Sequence, residues 1–62
     1  MKYQIQWKCT RWCNAGNYSR YCKESYTNLD EARADFEVYK ARNPEKETRL
    51  VIAEGRKYTE IM

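Results

Sequence analysis

The chain has 62 residues, of which 42% are apolar, 34% charged and 15% aromatic, and its formal net charge is +3. This length allows one domain with a thin core, and the aromatic content is too high for a disordered chain. The sequence has no histidine and only two glycines, so it lacks the usual general base near neutral pH and a glycine-rich phosphate loop. We therefore expect a non-enzymatic protein that uses no cofactor.

The first predicted element is a strand over residues 3–9. Its apolar side chains recur at every second position, which is typical of a strand with one buried face. These side chains are Tyr3, Ile5, Trp7 and Cys9. Trp12 lies an odd number of residues beyond Cys9, so we do not expect it on the same face.

Residues 10–17 are rich in Asn and Gly, which predicts the loop of a hairpin. Residues 18–27 alternate less regularly and predict the second strand of that hairpin. Near its end, we expect Tyr26 to point inward and to pack on the first turn of the following helix.

The most regular pattern predicts a helix over residues 28–42. Asn28 is a favourable capping residue, and Glu31 can complete a capping box by bonding back to the Asn28 N–H. One apolar stripe follows at helical spacing, and its members are Leu29, Ala32, Phe36 and Tyr39. The helix should end at Asn43, because a residue before proline avoids helical backbone angles.

Two further strands are predicted after the helix. Residues 48–53 include a short apolar run rich in β-branched side chains, which favours a central strand or one buried on both faces. Residues 54–56 predict a turn, and residues 57–61 a short last strand with Tyr58 and Ile61 as its apolar contacts. The order β-β-α-β-β predicts an α+β fold, a small antiparallel sheet with one helix packed on one face.

The three cysteines are odd in number, which excludes a closed disulfide framework within one chain. Cys9, Cys13 and Cys22 could converge as thiolates, but structural zinc takes four ligands at tighter spacing and no histidine is present. We therefore expect no metal site, and small thiols that are buried or half-buried. An intermolecular disulfide through Cys13 would reflect adventitious oxidation.

The sequence predicts a cytoplasmic protein. Residues 2–8 alternate between polar and apolar, whereas a secretory signal needs an unbroken apolar run. No stretch approaches the roughly 20 apolar residues of a membrane span. Reduced thiols also fit a cytosolic location, and we expect no membrane partner.

Net positive charge and aromatic residues are concentrated at the N-terminal end. The first 23 residues carry five basic side chains and no acidic one, and they include both tryptophans and three of the six tyrosines. The remaining residues carry seven basic and nine acidic side chains. This asymmetry predicts a partner-binding surface on the first hairpin, formed by Arg11, Trp12, Tyr18, Arg20 and Tyr21.

Three interpretations of that hairpin remain open. Trp, Tyr and Arg are the usual anchors of protein interfaces, and a protein partner is favoured because a charge of +3 is modest for a nucleic-acid-binding domain. The same residues could stack bases and neutralise phosphates, with Lys8 contributing. Alternatively, Trp12 could cover an undersized core. A homodimer is also compatible with so small a chain.

Part of the chain resembles small bacteriophage and prophage early proteins. The sequence YTNLDEA at residues 26–32, followed by RLV at residues 49–51, is similar to their pattern of an aromatic strand end, a capped helix and a later strand. The resemblance covers roughly residues 21–53 and its motifs are structural. It implies a protein that binds and diverts a host or defence factor, and it assigns no functional residue.

Overall fold

The computed structural model describes residues 1–62 and contains four strands and one α-helix. The elements in chain order are β1 (Lys2–Lys8), β2 (Trp12–Asn14), a 3-10 turn (Ala15–Asn17), α1 (Leu29–Arg42), β3 (Thr48–Glu54) and β4 (Lys57–Glu60). The strands form one antiparallel sheet in the order β2-β1-β3-β4. The predicted α+β class, with one helix packed against the sheet, is confirmed.

The helix begins at the predicted cap, although only half of the capping box forms. The side-chain oxygen of Asn28 accepts a 3.1 Å hydrogen bond from the Glu31 N–H. The Glu31 carboxylate does not return to Asn28, because it pairs with the Lys23 ammonium at 3.0 Å. Three of the four predicted stripe residues, Ala32, Phe36 and Tyr39, are buried. The predicted apolar stripe is therefore the face of the helix that packs on the core.

The centre of the sheet is the pair formed by β1 and β3. Ile5 and Leu50 lie opposite each other, and both are fully buried under the helix. The predicted apolar strand is central, as expected, since β3 has β1 on one side and β4 on the other. Val51 points to the opposite face of the sheet and is also fully buried. We call the face away from the helix the outer face.

The position of the second strand was predicted wrongly. The strand is Trp12–Asn14, inside the expected loop, whereas residues 18–27 are irregular and pair with the sheet by backbone hydrogen bonds at one isolated bridge, between Tyr26 and Tyr3. The cause is Asn14, whose side chain accepts from the Gly16 N–H at 2.9 Å and donates to the Glu24 carbonyl at 2.8 Å. These bonds turn the chain out of the sheet directly after β2.

The C-terminal hairpin agrees with the predicted turn. Gly55 has φ of +61°, which is easiest for glycine, and the turn joins β3 to β4. Tyr58 and Ile61, predicted as apolar contacts, remain 46% and 38% exposed. β4 and the residue that follows it therefore add little to the core.

Candidate binding surface

The sheet separates the five residues that the sequence assigned to one surface. Trp12 lies opposite Lys8 in the β1–β2 pair, so its side chain is on the outer face, and it does not share the face of Ile5, as expected. Tyr18 packs edge-on against Trp7, with ring centroids 5.7 Å apart, and Trp7 packs on the core beneath the helix. Trp12 and Tyr18 are therefore on opposite sides of the sheet.

On the outer face, Trp12 is engaged by other side chains of the protein. The Arg49 guanidinium lies 4.1 Å from the centre of the Trp12 ring, and the Lys8 ammonium lies 5.6 Å from it. Arg49 is held in place because its Nε donates a 2.8 Å hydrogen bond to Gln6 and its guanidinium lies 3.9 Å from the Glu60 carboxylate. The half-buried indole is thus part of an intramolecular stack.

Arg11 lies alone at the tip of the turn between β1 and β2. It is exposed, and the two ion pairs of the structure, Lys23–Glu31 and Arg49–Glu60, do not include it. It follows that Arg11 is accessible but is not joined to the other predicted residues.

The other three predicted residues meet the C-terminal end of the helix. Tyr18, Arg20 and Tyr21 form one wall of a groove of about 380 Å³. The other wall is formed by Tyr39, Arg42, Asn43 and Lys46. We call this site the aromatic-basic groove. Its defining side chains are Tyr18, Arg20, Tyr21, Arg42 and Lys46.

Two of the cations of the aromatic-basic groove lie against aromatic rings. The Arg42 guanidinium lies 4.1 Å from the centre of the Tyr21 ring, and the Lys46 ammonium lies 4.7 Å from that of Trp7. Cation–ring contacts at these distances are attractive. They hold long, flexible basic side chains beside the groove.

No acidic side chain lines the aromatic-basic groove. Its three cations, Arg20, Arg42 and Lys46, form no ion pair with a carboxylate. Tyr18 and Tyr21 are 70% and 52% exposed. The groove therefore offers positive charge that no carboxylate of the protein neutralises, beside two tyrosine rings that are partly open to solvent.

The wall of the groove is fixed by packing beneath it. Tyr39 is buried, and loss of solvation raises the pKa of its phenol. Cys22 is buried in the same core, where desolvation and the nearby Asp35 charge raise the pKa of its thiol to about 11. The indole N–H of Trp7 is buried without a hydrogen-bond acceptor. These groups are neutral, so the charge of the groove lies at its surface.

Sequence reasoning missed half of the aromatic-basic groove. Arg42 lies in the last turn of the helix, and Lys46 follows it in a stretch for which the sequence predicts no element. The sequence signal for this wall is Asn43–Pro44. It ends the helix there, so that Arg42 and Lys46 lie on either side of a change in chain direction. Tyr18 and Tyr21 lie beside these cations because residues 18–27 do not form the strand that the sequence predicted.

The three cysteines do not converge. Cys22 is in the core, whereas Cys9 is exposed and Cys13 is half-buried. The sulfur atoms of Cys9 and Cys13 lie 3.3 Å apart. No group of three His, Cys, Asp or Glu side chains is arranged to hold a metal ion.

Comparison with protein-family models, with curated proteins and with solved structures gives no match. The one α-helix is neither long enough nor apolar enough to cross a membrane. A functional proposal therefore depends on the side chains described above.

Proposed function

We propose that this protein is a non-enzymatic binding protein that holds an acidic segment of another protein in the aromatic-basic groove. The observation that carries the proposal is the meeting of three cations without carboxylate partners and two exposed tyrosine rings, with no acidic side chain around them. Such a surface complements a partner whose carboxylates alternate with apolar or aromatic side chains.

The residue types favour a protein partner. Tyr and Arg are enriched among the residues that carry most of the free energy of binding at protein interfaces. Tyr18 and Tyr21 supply rigid apolar area, and Arg20 and Arg42 can bond a carboxylate in a bidentate manner. Lys46 adds a positive charge that accelerates association with an acidic surface.

The resemblance of residues 21–53 to small phage early proteins suggests the biological setting. We propose on that basis that the partner is a host or defence protein and that binding modulates or inhibits it in the host cytoplasm. Trp12, the anchor expected from the sequence, is stacked against Arg49. We place the contact at the aromatic-basic groove because three of the five predicted residues lie there together, beside the two further cations Arg42 and Lys46.

A single-stranded nucleic acid is the second candidate for the same groove. It is favoured by the Tyr18 ring, which is 70% exposed and lies in a groove that has basic side chains. Bases stack on such rings, and phosphates pair with such cations. The two candidates differ in how binding depends on salt and on the ring.

Fluorescence anisotropy with two probes distinguishes the candidates. One probe is a labelled peptide of alternating Glu and Tyr, and the other is an oligothymidine of the same net charge. We expect the peptide to bind more tightly, and Arg42→Ala and Arg20→Ala each to weaken it by about tenfold, the effect of losing a charge-assisted hydrogen bond. Arg33→Ala is the matched control, because Arg33 is exposed on the helix outside the groove.

Preferential binding of the oligothymidine would favour the second candidate, provided that it weakens steeply with salt and on Tyr18→Ala. Equal loss of binding in Arg33→Ala and Arg42→Ala would show that net charge alone attracts the probes. Absence of binding to both probes would overturn both candidates.

A further inference from the structure

Two thiols face each other across the turn that joins β1 to β2. Cys9 directly follows β1, and Cys13 lies in β2 opposite Trp7. Cys13 lies on the same side of the sheet as Trp7, and the Cys9 side chain meets it there from the bend that follows β1. Their sulfur atoms are 3.3 Å apart, and a disulfide of about 2.0 Å would require them to approach by little more than about 1 Å.

The two thiols are chemically unequal. Hydrogen bonding to the Arg11 backbone, and then to the Cys13 thiol, lowers the pKa of Cys9 to about 7. The same contact with Cys9 raises the pKa of Cys13. Near neutral pH about half of the molecules therefore carry a thiolate at Cys9, while Cys13 keeps its proton. A thiolate of this pKa is close to the optimum for attack on a disulfide at neutral pH.

Both thiols can be reached from solvent. Cys9 is exposed and Cys13 is half-buried, and the neighbouring charged side chains, Lys8 and Arg11, are cations that attract an anionic reagent. Cys22 differs on each point, because it is 9% exposed and the pKa of its thiol is raised to about 11. The structure thus contains one reactive pair and one inert thiol.

We propose that Cys9 and Cys13 form a redox-active dithiol that is oxidised to an internal disulfide by exchange with a small-molecule disulfide such as glutathione disulfide. The Cys9 thiolate attacks one sulfur of the reagent, the S–S bond of the reagent breaks, and the first glutathione leaves as a thiolate that takes up a proton. Cys13 then loses its proton and attacks the Cys9 sulfur. The mixed disulfide breaks, the Cys9–Cys13 bond forms, and the second glutathione leaves. The protein loses two electrons and two protons, and one glutathione disulfide becomes two glutathione thiols.

The pair is suited to the second step. Once Cys9 carries glutathione, the Cys13 sulfur lies next to the atom that it must attack, so the reaction is intramolecular and fast compared with attack by another molecule. The ring that closes contains only Thr10, Arg11 and Trp12 between the cysteines. This site lies apart from the aromatic-basic groove, and the proposal does not depend on the function proposed for that groove.

The test is incubation of the reduced, folded protein with glutathione disulfide near neutral pH, followed by intact-mass measurement and peptide mapping. We expect the wild-type mass to fall by about 2 Da, the two hydrogens lost when one disulfide forms, with Cys9 and Cys13 in the linked peptide. The variant Cys22→Ala should behave in the same way. An added thiol such as dithiothreitol should restore the original mass.

Single substitutions separate the two steps. Cys13→Ser should stop at the mixed disulfide and gain the mass of one glutathione on Cys9. Cys9→Ser should react about tenfold more slowly than Cys13→Ser, because the Cys13 thiol that remains is half-buried, whereas Cys9 in Cys13→Ser is exposed and keeps the Arg11 backbone hydrogen bond that is the main cause of its lowered pKa. Circular dichroism before reaction verifies that each variant is folded, and both substituted side chains have access to solvent.

Three results would overturn the proposal. The first is a stable glutathione adduct in the wild-type protein, with no internal disulfide. The second is a linked peptide that contains Cys22, and the third is an equal reaction rate for Cys9→Ser and Cys13→Ser.

Discussion

The phenol of Tyr26 donates a 2.7 Å hydrogen bond to the carboxylate of Asp35 and accepts one of 2.8 Å from the backbone N–H of Lys23. The Tyr26 ring is 2% exposed, so these bonds are shielded from water. The bond to Asp35 attaches the irregular segment 18–27 to the middle of the helix. The pair therefore helps to hold the tyrosine wall of the aromatic-basic groove in place.

Tyr26→Phe should lower the free energy of unfolding by about 1.5–3 kcal/mol, the usual contribution of a buried hydrogen bond to a charged group. The substitution removes the donor to Asp35 and leaves the Lys23 N–H without its acceptor. Urea denaturation measures the change. Tyr58→Phe is the control, because Tyr58 is 46% exposed, and it should change stability by less than about 0.5 kcal/mol. Equal effects of the two substitutions would contradict the role given to the Tyr26 hydroxyl.

Stability should decrease in alkaline solution. Desolvation raises the pKa of the Tyr26 and Tyr39 phenols, and it raises that of the Cys22 thiol from 9.0 to about 11. Above about pH 9 the unfolded chain releases these protons while the native state keeps them, so the native state binds more protons and loses stability as the pH rises. This contribution is fully present below about pH 9.

Thermal unfolding at pH 8, 9, 10 and 11 measures the alkaline loss. Tyr26→Phe should show a smaller decrease in midpoint between pH 9 and pH 11 than the wild-type protein, because one of the groups responsible is absent. Tyr58→Phe should follow the wild-type curve. A variant curve for Tyr26→Phe that is parallel to wild type over this range would argue against the raised pKa of Tyr26.

Phe36→Ala should destabilise the protein by about 3–5 kcal/mol, because it removes a large side chain from the core and leaves a cavity. Phe36 is 3% exposed and belongs to the main apolar cluster. For a domain of this size the loss should be enough to unfold much of the protein at room temperature. Val38→Ala, on the exposed side of the same helix, should have a small effect. A midpoint of Phe36→Ala within a few degrees of wild type would mean that this side chain does not support the core.

Gly16→Ala should destabilise the protein by about 1–3 kcal/mol through overpacking. An added Cβ would lie 2.3 Å from the Lys23 carbonyl oxygen and 2.6 Å from the Glu24 Cα, which are backbone atoms and cannot rotate away. Asn17→Ala, at an exposed neighbouring position, should leave stability nearly unchanged. Chemical denaturation compares the two variants. Equal stability of Gly16→Ala and wild type would show that the segment moves freely at this point.

Trp12 and Arg49 should be energetically coupled. We expect a double-mutant cycle with Trp12→Ala and Arg49→Met to give a coupling free energy of about 0.5–2 kcal/mol, typical of a partly desolvated cation–ring contact. A second cycle, with Trp12→Ala and Arg56→Met, should give no coupling free energy, because Arg56 is exposed in the turn between β3 and β4. Additive effects in the first cycle would return Trp12 to the set of residues available for a partner.

The sequence was most informative where one local pattern determined the structure. The helix followed from the Asn28 cap, the apolar stripe that includes Phe36, and Pro44. The central strand followed from a short β-branched run. Each of these signals lies within a few residues of the element that it predicts, and the packing of the helix and of β3 agrees with them.

The second strand could not be predicted, because its position depends on contacts between distant residues. Asn14 turns the chain only because Glu24 offers its carbonyl ten residues later. For the same reason the predicted surface was divided between two faces. Tyr18 and Tyr21 lie beside Arg42, at the far end of the helix. Trp12 stacks on Arg49, which belongs to β3, late in the chain.

The two outer strands are short, with three residues in β2 and four in β4. A strand at the rim of an open sheet can recruit a strand from a neighbouring molecule through its free backbone groups. At one rim, β4 carries the charged residues Lys57 and Glu60. At the other rim, the chain leaves the sheet directly after β2. A strand from another molecule would therefore find few free backbone groups, and at β4 it would also meet charged side chains. Resistance to edge-to-edge aggregation is thus built into the lengths of these two strands, and it directs any self-association of the protein to its side-chain surfaces.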